Sequence, residues 1–265
     1  MSISREKVKI ISQEQIASGI YSMWFESSSM AVGAKAGQFV SVYSSDGAHL
    51  LPRPISICQI DREKGEVRLV YRVAGYGTAE FSGLKAGDMV TVMGPLGNGY
   101  GEAAAQCKAD SKIMLIAGGI GIPPMVELAA ALSQIPGTDV TAAMGYRNSD
   151  LFLTEELSSY GKLLIATEDG SVGTKGNVLD AVRENAVEPD AVCACGPMPM
   201  LRAVKKFAQE KGIPAYISLE ERMACGVGAC LGCVTKTVEV DSHSHVRNAR
   251  ICTEGPVFDA QEVAI

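Results

Sequence analysis

Lys112-Ile-Met-Leu-Ile-Ala117-Gly-Gly-Ile-Gly-Ile-Pro-Pro124-Met-Val-Glu-Leu-Ala-Ala-Ala-Leu132 is the stretch on which the fold turns. Lys112–Ala117 is a short apolar run, the pattern of a strand covered on both faces. Pro124–Leu132 carries apolar residues at helical spacing. Gly118, Gly119 and Gly121 lie between the two, where small residues let backbone approach an anion and the helix N-terminus attracts it. The prolines suit a first helical turn, which needs no amide donor. The run is not the G-x-G-x-x-G of standard dinucleotide folds. Alone it reads as a turn; between strand and helix it reads as a phosphate-binding turn.

Towards the C-terminus the alternation continues. Asp139–Met144, Lys162–Ala166 and Ala191–Cys195 read as strands and Met198–Lys211 as a helix. Alternating strands and helices imply a parallel sheet. Ligands of such sheets bind beyond the carboxyl ends of strands. Cys195, Gly196 and Pro197 stand at such an end, so Cys195 can face a nicotinamide; a small buried residue before a turn is the equal alternative. Ribose preference stays open: an acid favours NAD and an arginine NADP, and Gly145–Asp150 holds both Arg147 and Asp150. The polar loops Thr167–Ser171 and Gly173–Gly176 read either as nucleotide contacts or as solvated loops.

Towards the N-terminus the period changes to two. Gln38–Tyr43, Glu66–Val73 and Asp88–Met93 alternate apolar and polar residues, with turn signals at Lys64-Gly65, Gly75-Tyr-Gly77, Ala86-Gly-Asp88 and Gly94–Gly99. Short strands at near-regular spacing predict a small antiparallel barrel up to about Gly101. Arg53-Pro54-Ile55-Ser56 follows a strand in this reading, where a guanidinium fork and a hydroxyl can hold a diphosphate. Gly75-Tyr-Gly77-Thr78 offers amides and another hydroxyl. In a barrel ahead of a βαβ unit the two together point to a flavin dinucleotide. Glu102–Ser111 reads as a linker or short helix.

Cys225, Cys230 and Cys233 stand as C-x4-C-x2-C, with Cys252 following after eighteen residues. This is the plant-type ligand spacing of a [2Fe–2S] cluster. Gly226, Gly228 and Gly232 allow a tight loop with amides close to sulfur. A four-cysteine zinc site is the alternative, although such sites usually pair two C-x2-C units. Cys58, Cys107, Cys193 and Cys195 read as small buried residues. His243 and His245 read as part of a solvated loop, with Rieske-type ligation as the alternative. Trp24 reads as a packing residue.

The chain has 265 residues, 47% hydrophobic and 20% charged, enough for two domains. A net charge of −6 without a basic run argues against nucleic acid as partner. No stretch approaches the roughly twenty apolar residues of a membrane span. Met1–Lys7 has no apolar signal core, so a cytosolic location is expected.

In order, Arg53–Ser56, Gly77-Thr78, Gly94-Pro-Leu-Gly97, Gly118–Gly121, Cys195–Pro197 and the cysteine tail resemble the ferredoxin–NADP reductase superfamily. Ser218-Leu-Glu-Glu-Arg-Met-Ala-Cys-Gly-Val-Gly-Ala-Cys230, with Cys252-Thr-Glu-Gly-Pro-Val-Phe258, resembles the electron-transfer subunits of type B dihydroorotate dehydrogenase. Two features depart from the pattern: a longer Cys233–Cys252 loop, and Pro123, before the last proline of Gly-Ile-Pro-Pro124, where many members of the wider superfamily have alanine.

The resemblance implies a multi-domain β plus α/β fold: an FAD-binding antiparallel barrel over 1–101, a Rossmann-like NAD domain over 102–217 and a [2Fe–2S] segment over 218–265. It implies FAD contacts at Arg53, Pro54, Ile55, Ser56, Val70, Tyr71, Arg72, Gly77 and Thr78, and a cluster on Cys225, Cys230, Cys233 and Cys252. It further implies an FMN-containing catalytic partner, in a heterotetramer of two of each, and electron flow from dihydroorotate through cluster and FAD to NAD. A related reductase subunit serving ferredoxin, sulfide or a hydrogenase is the nearest rival. A non-catalytic zinc-binding interaction module is a rival of another class.

Overall fold

The computed structural model describes residues 3–101, 110–240 and 245–265. The expected linker at Glu102–Ser111, except its last two residues, lies outside the described residues, as do Cys107 and His243.

Six strands close an antiparallel barrel in the order β1-β2-β5-β4-β3-β6: β1 Ser4–Ala17, β2 Ile20–Glu26, β3 Phe39–Tyr43, β4 Arg53–Asp61, β5 Glu66–Arg72 and β6 Met89–Leu96. Closure removes exposed edges. β1 makes it possible: its first half pairs with β6 and its second with β2, with register shifts between Ile10 and Ser12 and between Gln15 and Ala17. Val8, Ile10, Val40, Val42, Ile57 and Leu69 fill the interior.

Three expectations need correction. Two short helices interrupt the all-β reading, α1 Ser28–Gly33 and α2 Tyr76–Ser82. Gly75-Tyr-Gly77 is therefore a helix start, and Phe81 from that helix plugs the barrel core. Arg53–Ser56 opens β4 instead of following a strand. Gly94–Leu96 continues β6 through a cis Gly94–Pro95 bond, so the turn begins only at Gly97, which has φ +75°.

The second unit is a seven-stranded sheet in the order β10-β9-β8-β7-β11-β12-β15, the last being the tail strand Val257–Asp259. Its parallel strands are β7 Lys112–Gly118, β8 Asp139–Tyr146, β9 Lys162–Thr167, β10 Thr174–Lys175, β11 Ala191–Cys195 and β12 Ala215–Ser218. Helices α3 Pro123–Ser133, α4 Thr154–Tyr160, α5 Val178–Glu184 and α6 Met198–Lys211 connect them. Met114 and Ile116 join one apolar cluster while Ile113 and Leu115 join the other, so the sheet is covered on both faces.

The cysteine tail does not stand apart. β13 Val234–Lys236 and β14 Asn248–Arg250 form a small ribbon, and β15 Val257–Asp259 returns to pair antiparallel with β12. Cys233, Ile251, Cys252 and Phe258 share an apolar cluster with Phe39 and Leu96 of the barrel. Barrel, sheet and tail are thus packed on common cores. Among the described residues no helix is long and apolar enough to cross a membrane.

Candidate functional site

A cleft of about 880 Å³ opens where the three parts meet. Its walls are the start of β4, the end of β5, the start of α2, Ile120 of the glycine turn, and the chain from Ser218 to Met223. Side chains alternate along strands, so Ile55 and Tyr71 fall in the barrel core while Val70 joins the apolar cluster shared with the sheet. Tyr71 accepts from Gln13 Nε2 at 2.6 Å inside that core, and burial pushes its phenol up to about 12. At Ile55 and Tyr71 the chain therefore offers the cleft its backbone.

Three arginines line the cleft, Arg53, Arg72 and Arg222. Arg53 donates to the Leu51 carbonyl, and its guanidinium lies against Gly77, where any Cβ would collide with it. Gly77 thus lets the helix start lie directly against the Arg53 guanidinium, which a larger residue would displace. Thr78 Oγ1 accepts from the amides of Ala74 and Gly75 at 2.9 and 3.2 Å, so it shapes this turn. Pro54 and Ser56 are half-buried on the wall and Arg72 is exposed. Positive charge beside apolar walls suits an amphipathic dinucleotide such as FAD.

Sequence reading missed several lining residues. His49 stacks on Tyr76 with ring centroids 3.7 Å apart, and Asp46 accepts from the Tyr76 hydroxyl at 3.0 Å. Glu220 lines the cleft; surrounding protein raises its carboxyl above the usual range, and Arg72 works the other way. The isolated aromatic Tyr76, inside a motif read for its amides and its Thr78 hydroxyl, was the available signal.

The glycine turn lies beyond the carboxyl end of β7. β8 flanks β7 on one side and β11 on the other, so the direction of strand order reverses there. Crevices at such switch points bind ligands. Gly119 has φ +54°, a left-handed conformation that favours glycine. A Cβ on Gly121 would strike the Cys195 carbonyl, so this turn and Cys195-Gly196-Pro197 are packed backbone to backbone. Gly118 abuts Pro197 and Met200. Cys195 is 1% exposed, and burial drives its thiol far above the usual range. Cys58 and Cys193 are buried too, as expected. Asp150 Oδ2 accepts from the Ser18 amide at 3.0 Å and Arg147 is exposed, so only the acid of that pair is engaged by the barrel.

The tail cysteines act on one another: the Cys225 thiol interacts with that of Cys230, and the Cys252 thiol with that of Cys233 and, by charge, with Cys225. A [2Fe–2S] cluster takes four thiolates for two irons, two for each. Among the described residues no three His, Cys, Asp or Glu side chains gather round a single ion. Amides already point at sulfur: Val227 and Cys230 donate to Cys225 Sγ at 3.4 Å, Gly232 to Cys230 Sγ at 3.4 Å, and Gly228 to Cys252 Sγ at 3.2 Å. Burial opposes ionisation of Cys225, but these amides outweigh it and bring the thiol down to about 6. Gly226 and Gly228, at φ +70° and +81°, turn the loop so that the amides face inwards. The donor set fits the cluster. His245 is exposed, in accord with a solvated loop, and Trp24 is half-buried beneath the Arg68 guanidinium.

Comparison with known proteins agrees with this division of labour. Residues 7–100 match the oxidoreductase FAD-binding domain, 115–206 the oxidoreductase NAD-binding domain, and 220–264 the iron-sulfur cluster binding domain of dihydroorotate dehydrogenase B. The electron transfer subunit of dihydroorotate dehydrogenase B (NAD(+)) from Geobacillus kaustophilus is 41% identical, over 99% of this chain and 100% of its own. The Streptococcus pneumoniae subunit is 40% identical over the same shares. A solved NADH-dependent reduced ferredoxin–NADP oxidoreductase superposes with a TM-score of 0.84 at 30% identity, covering 97% of this chain and 89% of that one. With flavin, nicotinamide and cluster domains in this order and such identity over the full length, the chain belongs to the family of dihydroorotate dehydrogenase B electron-transfer subunits.

Proposed function

We propose that this chain carries electrons from the FMN of a catalytic partner subunit, through a [2Fe–2S] cluster and FAD, to NAD, in a cytosolic assembly of two copies of each subunit. The observation that carries this reading is one of chain continuity. Ser218–Met223 line the flavin cleft, and Cys225 follows two residues later.

When bound, the flavin converts between the two-electron chemistry of nicotinamide and the one-electron chemistry of the cluster. The chain's own residues position those groups. Arg53 and Arg72 offer charge to the diphosphate, Gly77 and Thr78 shape the turn beside it, and Pro54, Ile55, Ser56, Val70 and Tyr71 form the wall. Gly118, Gly119, Gly121, Cys195, Gly196 and Pro197 form the nicotinamide crevice. Cys225, Cys230, Cys233 and Cys252 hold the cluster. Leu231, 63% exposed, and Val227, 41% exposed, leave an apolar rim round the cluster loop on which the partner seats. Dihydroorotate oxidation is assigned to the partner. The divisions 1–101, 102–217 and 218–265 belong to the same reading.

The test is dihydroorotate-dependent NAD reduction by the complex purified through a tag on this chain. Activity with FMN, FAD, iron and sulfide present supports the reading. A complex that reduces NAD with ferredoxin and ignores dihydroorotate transfers the function to the rival favoured by the 30% identical oxidoreductase.

A further inference from the structure

Ser41 lies in the middle of β3, and its side chain is 0% exposed. Its neighbours Val40 and Val42 enter the barrel core, so Ser41 points to the outer wall, beneath the tail. Its Oγ has no hydrogen-bond partner among the described residues. Leaving a buried hydroxyl unpartnered is costly, so the hydroxyl here calls for an acceptor.

The surroundings say which acceptor. A Cβ on Gly226 would lie 3.2 Å from Ser41 Oγ and 3.3 Å from Leu96 Cδ1, so the loop beside Cys225 rests on this spot. Across the ladder Ser41 pairs with Pro54, the wall of the flavin cleft. On the other flank of the loop, Thr253 Oγ1 is also buried without a partner and would lie 3.2 Å from a Cβ on Gly228. The loop's amides already serve the cysteine sulfurs. What the chain does not supply at Ser41, a cluster bound beside Cys225 would bring, namely sulfur acceptors.

We propose that the Ser41 hydroxyl is a positioning donor that hydrogen-bonds cluster sulfur from the barrel side and holds the cluster's reduction potential up. This rests on the cluster reading above. A donor to sulfur stabilises the reduced, more negative state, so its removal makes reduction harder.

The experiment is a potentiometric titration of the purified complex, with the reduced cluster followed by electron paramagnetic resonance and the flavins by absorbance. In Ser41→Ala the reduced-to-oxidised ratio at the wild-type midpoint is expected to fall about threefold, which is about 28 mV for a one-electron couple at 59 mV per tenfold. Iron, sulfide and flavin contents stay at wild-type levels. Ser41→Thr and Ser41→Val provide a second comparison, since the two differ only by hydroxyl against methyl; only the threonine variant is expected to keep the higher midpoint. This pair decides the matter if Ser41→Ala fails to hold a cluster. Coincident midpoints for the threonine and valine variants, or an unmoved midpoint in a loaded Ser41→Ala complex, overturn the proposal and leave the relay standing. A wild-type complex with no [2Fe–2S] signal after reduction overturns both.

Discussion

Arg68 on the barrel donates to Glu156 on α4 at 3.0 Å, and the same guanidinium donates to Ser22 Oγ at 2.9 Å and Gln59 Oε1 at 2.5 Å. Its side chain is 9% exposed, against 30% for Glu156. The pair joins the barrel to the α/β unit.

Arg68→Ala leaves three acceptors without their donor and is expected to lower stability by about 2–3 kcal/mol, under the usual range for fully buried pairs because Glu156 is partly solvated. Glu156→Gln keeps an acceptor and is expected to cost about 1 kcal/mol. Urea denaturation of both variants checks the order; equal, negligible losses would show that the pair does not join the units.

Cys225→Ser and Cys233→Ser are expected to lose most of the bound iron and sulfide, each by removing one ligand of a two-thiolate iron site. Cys58→Ala and Cys193→Ala are expected to keep wild-type iron, since both thiols are buried in an apolar cluster that holds none of the four tail cysteines. Metal analysis of purified complexes separates the two groups; iron loss in the second group would contradict the ligand set.

Gly77→Ala forces a methyl group into the Arg53 guanidinium. Arg53→Ala removes the charge itself. Each is expected to weaken FAD retention about tenfold to a hundredfold, the span of a charge-assisted hydrogen bond worth about 1.5–3 kcal/mol. Equilibrium dialysis of released flavin measures it, and full retention in Arg53→Ala would remove that residue from the cradle.

Alkaline pH acts on the core. Burial raises the Cys58 thiol from 9.0 to about 12 and the Tyr71 phenol from 10.0 to about 12. A raised folded value means that the native state holds its proton while the unfolded chain gives it up. The associated stability is complete below about pH 9 and is lost as pH rises towards 12. The melting temperature is expected to fall steeply across that window, and a flat profile to pH 11 would contradict the burial of both groups.

Elements with a strong period were legible from sequence. β11 and α6 fall at the expected residues because an apolar run and a helical stripe bounded by Gly196-Pro197 and Gly212 leave little freedom. β1 was not legible, since Ser4–Ala17 is rich in charge and its pairing switches halfway from β6 to β2. The iron-sulfur domain was legible because its cysteine spacing is local in the chain. Ser41 and Glu220 were not, because their significance depends on a neighbour far away in the chain.

The return of β15 to the sheet has a further consequence. The cluster loop is tied down at both ends, by Leu219 donating to the Pro256 carbonyl at 2.8 Å before it and by the β12–β15 pairing after it, while Asn98 of the barrel donates to Gly255 at 2.6 Å. A cluster laced in this way has no swinging arm. With cluster and flavin bound, these ties would hold the cysteine loop at a constant distance from the flavin cleft, and thickening the solvent with glycerol should slow the docking of NAD without slowing transfer between the two groups.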